Sequence, residues 1–387
     1  MLPNLFDTIS VDEADATLIT RAPFSFDPGP ITGAAPSPDV AAAAPASPPS
    51  YRIAVYGHER EAAGLVRAIV AGSMAQTYLF AGPPGVGKRT LARFVAQAIV
   101  CTGDGKAAGV VGSAGSATQA LAPARPCGAC RACRLVAAGG HPDVQLVIPP
   151  LRIESVRQLQ RELVLAPTES ERRVVILPDM EDASPSAANS MLKMLEEPPR
   201  MAVLLLTTAE LRDVLPTVRS RCQTLTLHAM PAARLADLLA TAWGVPAERA
   251  ELLARLAGGR LGWAVRAWQD EAPLASRQVW LDGLAQALAT PRLARFELAG
   301  ALAKLGDELA AGLAVWTSWW RDVLYVHHRL APAVVNRDRL DELQAAAARF
   351  NVGQVVASLN ALERALRHLA ANANPQLALE VLFLDLP

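Results

Sequence analysis

The sequence predicts an α/β fold, in which a domain with a parallel, doubly wound sheet is followed by all-helical domains. Two observations carry this prediction. Between about residues 77 and 208, short apolar runs alternate with segments of helical periodicity. After about residue 229 no such apolar run recurs, and Ala/Leu/Arg segments with helical spacing continue to the end. With 387 residues, 51% of them hydrophobic, the chain has material for two or three folded units.

Four apolar runs predict strands of the sheet. They lie at 78–81, 144–148, 174–177 and 203–206. Unbroken apolar runs are expected where helices cover both faces of a parallel sheet. The helices between the strands are predicted from apolar spacing within 90–100, 153–163 and 188–195.

Composition predicts where the domains begin and end. Residues 1–50 form a Pro/Ala-rich leader that we expect to be disordered, because residues 22–50 hold eight prolines among Ala, Ser and Gly. A second Gly/Ala/Ser-rich stretch, 103–126, is typical of a loop inserted into a folded domain. We predict a sheet domain at 51–228, a small helical domain at 229–272 and a helical bundle at 273–387.

The charge balance argues against some classes of protein. Lys plus Arg and Asp plus Glu both number 37, so the chain lacks the basic excess of proteins that bind mainly by neutralising phosphates. The first 15 residues carry four acidic and no basic side chains, which is unlike a signal peptide. No charge-free apolar run reaches the ~18 residues of a membrane span. We therefore expect a cytoplasmic protein without membrane segments.

A glycine-rich loop follows the first predicted strand and opens a helix. Its residues 82–90 read Gly-Pro-Pro-Gly-Val-Gly-Lys-Arg-Thr. In a P-loop, glycines such as Gly82, Gly85 and Gly87 let backbone N–H groups face phosphate oxygens, and Lys88 would reach the β- and γ-phosphates. The alternative is a strand-to-helix turn without a ligand. The pattern needs Ser or Thr after the lysine as a Mg²⁺ ligand, but Arg89 stands there.

The acidic element of such a site is also incomplete. Asp179 follows the strand at 174–177 and can stand for the metal-associated aspartate of P-loop ATPases. Met180 takes the place of the glutamate that would polarise the attacking water. Glu181 is shifted by one residue, which on a strand turns its side chain to the other face. We predict a degenerate nucleotide site that does not hydrolyse ATP, and whether it binds ATP stays open.

Four cysteines predict a metal centre. Cys101, Cys127, Cys130 and Cys133 supply two overlapping C-x₂-C pairs and one further thiolate, the full set of ligands for tetrahedral structural zinc. We assign a zinc module to 101–141. The alternatives are buried free cysteines and a redox C-x-x-C pair.

As an ordered set, these motifs resemble a known family. The strings are the loop at 82–89, the four cysteines, Asn-Ser-Met-Leu-Lys-Met-Leu-Glu-Glu-Pro-Pro at 189–199 and Ser-Arg-Cys at 220–222. They resemble the clamp-loader branch of the AAA+ proteins, and within it the delta-prime subunits of bacterial DNA polymerase III. Residues 372–380 resemble the end of that family's collar. The resemblance covers 51–387 and implies an AAA+ P-loop domain, a helical lid domain and an oligomerisation collar for the three predicted domains.

The resemblance implies a function in DNA replication. A clamp loader places the sliding clamp on primed DNA, and delta-prime subunits act in it as a stator beside gamma/tau and delta subunits, within a complex that has DNA-directed DNA polymerase activity. Arg221 of the Ser-Arg-Cys string would be an arginine finger for a neighbouring ATPase subunit. In motor subunits a lid arginine contacts the phosphates. Gly262 stands at that position here, with Arg260 two residues away.

Two other readings remain from the sequence. A gamma/tau-type motor ATPase of the same clamp loader would hydrolyse ATP despite Arg89. A zinc-stabilised nucleic-acid binder would need a basic surface with aromatic side chains, yet residues 101–141 contain no aromatic residue.

Overall fold

The computed structural model describes residues 51–103 and 125–387. The leader predicted at 1–50 and most of the insert predicted at 103–126 lie outside the described residues. The described chain divides into two compact units. One comprises 51–230 with 259–262, and the other comprises Pro231–Gly258 and Trp263–Pro387.

A five-stranded parallel sheet forms the centre of the first unit. Its strands are β1 (Thr77–Ala81), β2 (Val144–Leu146), β3 (Arg173–Leu177), β4 (Ala202–Thr208) and β5 (Gln223–Thr226). Their order across the sheet is β2-β3-β4-β1-β5, with every neighbouring pair parallel. β1 and β4 are buried along their whole length. The predicted parallel sheet is confirmed.

Helices cover both faces of this sheet, as the unbroken apolar strands require. The helices of this unit are α1 (Glu59–Val70), α2 (Lys88–Val100), α3 (Arg131–Ala137), α4 (Ile153–Leu163), α5 (Pro185–Glu196) and α6 (Pro216–Arg219). On β1, Tyr78 and Phe80 pack in one cluster with α1, α2 and α3, whereas Leu79 packs in another with α4 and α5. The alternation of side chains along each strand therefore supplies two hydrophobic cores.

The sequence patterns missed one strand and three helices of this unit, namely β5, α1, α3 and α6, and one strand is shorter than predicted. Strand β5 reads Gln-Thr-Leu-Thr and lies at the sheet edge with mostly exposed side chains, so it has no apolar run to detect. Helix α1 was also missed, although its residues Leu65 and Val66 are buried in the hydrophobic cluster with Tyr78 and Phe80. β2 ends at Leu146 rather than at 148, although the N–H of Val147 still donates to the carbonyl oxygen of Ile176 on β3 at 3.0 Å.

The described residues of the second unit form helices joined by short connections, with no strand among them. After α7 (Ala232–Trp243), α8 (Ala247–Ala257) and α9 (Leu261–Gln269) come α10 (Ala272–Ala289), α11 (Arg292–Leu302), α12 (Asp307–His327), α13 (Leu340–Arg349), α14 (Val352–Ala370) and α15 (Pro375–Asp385). Trp316 and Trp320 are fully buried in its core, and the indole N–H of Trp316 donates to the carbonyl of Trp280 at 2.6 Å. These tryptophans serve packing.

A buried polar network ties the segment before α13 to α10 and α12. The guanidinium of Arg277 donates to Asn336 and, through two nitrogens, to Asp338. Asp322, which is fully buried, accepts from the backbone and the amide of Asn336. Because buried polar groups cost stability unless they are paired, this network fixes the path of the connecting segment. Across 51–103 and 125–387, no helix combines the length and the apolar character needed to cross a membrane.

Candidate functional site

The glycine-rich loop connects β1 to α2, the context that a phosphate-binding loop requires. Gly82, Gly85 and Gly87 all have positive φ angles, of 155°, 81° and 113°. At Gly82 a Cβ would also lie 2.4 Å from the carbonyl oxygen of Leu227, so only glycine fits there. The predicted loop therefore has the backbone shape that successive inward-facing N–H groups need.

Lys88 is folded back onto this loop. Its ammonium group donates to the carbonyl oxygens of Gly82 at 2.5 Å and Pro83 at 3.3 Å, and the residue is 7% exposed. Burial lowers the pKa of Lys88, while the negative charges of Glu181 and Asp179 act in the opposite direction. Loop carbonyls and nearby carboxylates already satisfy the lysine that would reach a nucleotide's phosphates.

Arg89 forms an ion pair with the carboxylate of Asp179. Asp179 lies just past β3 in the left-handed region, with φ 51°, and its N–H donates to the hydroxyl of Thr207 on β4. The aspartate that would accompany a metal ion is therefore paired with a side chain of the chain itself. Together with the missing hydroxyl after Lys88, this donor set does not fit a bound Mg²⁺.

The turn after Asp179 places Glu181 differently from the prediction. The chain leaves the extended conformation at Asp179 and forms a 3₁₀ turn over Met180–Asp182, so strand alternation no longer decides which way a side chain faces. Met180 packs into the core formed with α4 and α5. Glu181 accepts from the N–H of Ala209 at 2.9 Å and acts electrostatically on Lys88, so the expectation that it faces away is wrong.

Gly262 stands against the same loop. Its N–H donates to the carbonyl oxygen of Gly85 at 2.8 Å, and a Cβ at this position would lie 3.0 Å from that oxygen. The close approach explains why a glycine suits a position where motor subunits were expected to carry an arginine.

The four predicted cysteines meet in one cluster. The Sγ atoms of Cys101, Cys127, Cys130 and Cys133 all lie within 4.8 Å of one another. A tetrahedral zinc with Zn–S bonds of about 2.3 Å requires sulfurs about 3.8 Å apart, and Cys127 and Cys133 are 3.9 Å apart. Both the donor set and its spacing fit a zinc ion.

Local backbone geometry brings these thiols together. Cys101 ends α2 and Cys130 caps α3, accepting from the N–H of Cys133. A hydrogen bond from Cys133 is the main cause that lowers the pKa of Cys101 to about 4, and the same bond raises the pKa of Cys133. Because the thiolate is the form that binds zinc, a cluster that already stabilises one thiolate is suited to the metal.

The module is also attached to the sheet unit by polar contacts. Gln97, fully buried on α2, donates to the carbonyl oxygens of Cys133 at 2.9 Å and Tyr51 at 2.8 Å. Arg93, one turn earlier, donates to the carbonyl oxygen of Ala137 at 3.0 Å. The cysteine cluster is thus docked on the helix that begins at the glycine-rich loop.

Arg221 lies where the parallel strands begin, whereas the glycine-rich loop lies where they end. It follows α6 and precedes β5, and its carbonyl accepts from the hydroxyl of Thr77, the first residue of β1, at 2.8 Å. Its guanidinium pairs with Glu196 at 2.6 Å and donates to the carbonyl of Thr217 at 2.8 Å. The glycine-rich loop begins after Ala81, at the opposite end of β1.

Comparisons with known proteins decide the family. One family model, described as DNA polymerase III, delta subunit, matches residues 57–231. A second, described as DNA polymerase III, delta subunit, C terminal, matches residues 272–386. The chain belongs to the DNA polymerase III delta subunit family. The resemblance inferred from the sequence motifs is thereby confirmed.

Relatives within DNA polymerase III match part of the chain. A DNA polymerase III subunit delta' of Pseudomonas aeruginosa is 38% identical over 191 residues, which cover 48% of this chain and 53% of that protein. A gamma/tau subunit of Mycobacterium tuberculosis is 30% identical over 186 residues, covering 48% of this chain and 30% of that protein. The chain therefore spans about half the length of the delta' relative and less of the gamma/tau relative.

A solved structure gives a more distant likeness. It is a DNA polymerase III gamma subunit-related protein from Thermotoga maritima, 20% identical, with a TM-score of 0.36 and coverage of 84% of this chain and 98% of that one. The assignment to the family rests on the sequence matches.

Proposed function

We propose that the chain is a clamp-loader subunit of DNA polymerase III that helps place the sliding clamp on primed DNA. Membership of the delta subunit family and relatives named delta' and gamma/tau support this role. Its direct partners would be gamma/tau and delta subunits, with the clamp and DNA reached through the complex.

Within that complex the chain acts as a stator that does not hydrolyse ATP. Three features of the loop support this role. Arg89 replaces the hydroxyl that holds Mg²⁺, Asp179 is paired with Arg89, and Lys88 is bound to loop carbonyls. Phosphoryl transfer needs the metal, the lysine and an oriented water together. A chain without the hydroxyl that holds the metal, and with the metal-associated aspartate already paired, is not expected to run the reaction.

Arg221 is proposed to contact the nucleotide of a neighbouring subunit. Its position beside Thr77, where β1 begins, supports that proposal. β1 begins at Thr77 and ends at Ala81, so its two ends are about 13 Å apart at ~3.3 Å per residue. An arginine beside Thr77 is therefore too far away to contact a nucleotide in the loop that begins after Ala81. Its guanidinium is available to the nucleotide of a neighbouring subunit.

The isolated chain holds Arg221 only weakly. Its partner Glu196 has a side chain 48% exposed, and Arg221 itself is 33% exposed. Ion pairs this exposed contribute about 0–1 kcal/mol. Moving the guanidinium to a γ-phosphate therefore gives up a weak ion pair and the hydrogen bond to Thr217, and gains a more highly charged partner.

The experiment measures ATP turnover by the purified chain alone and by the complex with motor and delta subunits. Arg221→Ala is compared with wild type, and Arg219→Ala serves as the matched control, since Arg219 is two residues away and its guanidinium donates to the carbonyl of Leu211 at 3.1 Å. An arginine finger is worth about 10³–10⁵ in rate at the site it serves. We expect the complex with Arg221→Ala to lose that site's share of turnover, and the Arg219→Ala complex to keep it.

Two results would overturn the proposal. Equal turnover by complexes with wild type and Arg221→Ala removes the finger. Turnover by the isolated chain that is abolished by Lys88→Ala identifies a gamma/tau-type motor instead.

We further propose that the helices at 273–387 form the collar through which the subunits assemble. Helix α15 exposes Leu377, Val381 and Leu384, at 60%, 53% and 49%, while Leu379, Leu382 and Phe383 on its other side are buried. The spacing of four and then three residues puts the exposed set on one face. An apolar face of this kind suits a neighbouring helix.

A further inference from the structure

We infer that Arg89 is a built-in counterion of Asp179 that takes the place a Mg²⁺ ion would hold beside the glycine-rich loop. The inference rests on the proposed stator role and explains how this chain keeps such a loop without a metal. It concerns electrostatics within the chain and assigns a role to a residue that otherwise marks only a departure from the motif.

Side chains of both charges lie close together around the glycine-rich loop. Lys88 and Arg89 begin α2, and Asp179 and Glu181 follow β3. Arg89 pairs directly with Asp179, and the charges of Glu181 and Asp179 both act on Lys88. Two cations therefore offset the carboxylates of Asp179 and Glu181, with Asp182 as a third acid of the same turn, whereas a metal-binding P-loop leaves its acid to the metal.

Position 89 decides this arrangement. It is the residue next to the lysine in the first turn of α2, where a serine or threonine hydroxyl would hold the metal. The longer arginine side chain crosses from that position to the carboxylate that would share the same metal. A guanidinium is permanently charged and donates in a fixed planar fork, so it replaces a cation without any ligand having to bind.

The Arg89–Asp179 pair affects whether Asp179 can bind a cation more than it affects the stability of the fold. The Arg89 side chain is 47% exposed and that of Asp179 is 26% exposed, so the pair resembles a surface salt bridge in energetic terms. What it changes is the local charge. Without Arg89, the turn would present three carboxylates, of Asp179, Glu181 and Asp182, against Lys88 alone.

The acids already repel one another. Burial is the main cause that raises the pKa of Asp182, and the charges of Glu181 and Asp179 add to it. One oxygen of Glu181 is buried and has no hydrogen-bond partner among the described residues. Carboxylate oxygens concentrated in this way suit hard divalent cations such as Mn²⁺ and Mg²⁺.

The test uses Mn²⁺ alone as the probe, with the full-length zinc-loaded chain and no nucleotide. Free Mn²⁺ is followed by electron paramagnetic resonance in titrations of wild type, Arg89→Ser, Arg89→Lys and the double variant Arg89→Ser/Asp179→Asn. Arg89→Lys keeps a cation at the position, and the double variant removes the freed carboxylate.

We expect Arg89→Ser to bind Mn²⁺ at least tenfold more tightly than wild type, and both controls to bind as weakly as wild type. Arg89→Ala provides a second removal of the charge if circular dichroism shows that the serine variant is misfolded.

Three outcomes would overturn the inference: equal affinity in wild type and Arg89→Ser, tight binding by wild type, or a gain that survives in the double variant. The measurement involves neither ATP nor partner subunits, so its failure is distinct from a failure of the Arg221 experiment.

Discussion

Replacing Cys133 by alanine tests the metal centre at its most buried ligand. Cys133 is fully buried, and its Sγ lies 3.9 Å from that of Cys127. The substitution leaves three thiols that cannot close a tetrahedral Cys₄ site. The contacts of Gln97 and Arg93 with the module use backbone carbonyl oxygens and do not depend on the Cys133 side chain.

The expected loss of stability follows from the zinc-binding free energy. Structural zinc sites bind with apparent free energies of about 10–16 kcal/mol, so one of four equal thiolates accounts for about 2.5–4 kcal/mol. For a unit of 150–250 residues, each kcal/mol shifts Tm by about 2–4 °C. We therefore expect the Tm of the sheet-containing unit to fall by at least about 5–16 °C, because loss of the ion also removes its bonds to the other three thiolates.

The assay combines metal content with thermal melting of the full chain. Wild type is expected to carry about one zinc ion per chain by elemental analysis, and Cys133→Ala is expected to carry much less. Cys222→Ala is the matched control, because Cys222 lies outside the cluster and burial raises the pKa of its thiol to about 11. This control should keep its zinc.

Two results would refute the reasoning. If wild type contains no zinc after purification in zinc-containing buffer, the cluster is not a structural zinc site. If Cys133→Ala loses its zinc but melts at the wild-type temperature, the metal does not contribute to folding of the described unit.

Three further predictions concern the scaffold and the collar. Asp143→Ala should cost about 3 kcal/mol, because the buried carboxylate accepts from three backbone N–H groups worth about 1 kcal/mol each. Gly312→Ala should cost about 1–3 kcal/mol, because its Cβ would lie 2.0 Å from the ring of Trp280. Val381→Glu should weaken co-purification with partner subunits by placing a charge on the exposed face of α15.

Each of these has a control or a second readout. Burial alone would raise the pKa of Asp143, but the backbone hydrogen bonds outweigh it and lower the pKa to about 2. The stability it supplies is full above the unfolded pKa of about 4 and is lost as pH falls toward 2, so wild type and Asp143→Ala should converge there. Gly300→Ala, with open contact distances, should be neutral or stabilising. Val279→Glu tests whether any exposed charge disturbs assembly.

Contrary results are equally concrete. A constant gap between wild type and Asp143→Ala down to pH 2 would remove the carboxylate's role. An unchanged Tm for Gly312→Ala would mean that α10 and α12 are not packed as closely as described. Normal assembly of Val381→Glu would move the collar interface elsewhere.

The sheet and the metal cluster were predictable because their signals are local. Buried strands such as 203–206 carry unbroken apolar runs, and the C-x₂-C spacing of the cysteines limits how far apart their sulfurs lie. The polar edge strand β5 gives no such signal, because only Leu225 is apolar in it.

The chemistry around the loop was only half predictable. The sequence shows that Arg89 replaces a hydroxyl, but its pairing with Asp179 joins residues 90 positions apart and depends on how β1 and β3 align. The position of Glu181 depends on the left-handed backbone of Asp179, which ends the strand alternation that the prediction used. Spacing rules fail where the chain changes conformation.

Arg221 and the glycine-rich loop lie at opposite ends of the parallel strands, so the two ends of the sheet-containing unit carry different groups. Subunits that meet with the arginine end of one against the loop end of the next form heterologous, head-to-tail contacts, which close into a ring or run on as an open series. Under the proposed stator role, this chain presents an arginine at one end of its strands, while the acid beside its own glycine-rich loop is already paired with Arg89. Such a subunit would give an arginine to a neighbour and take none, which suits one end of a series.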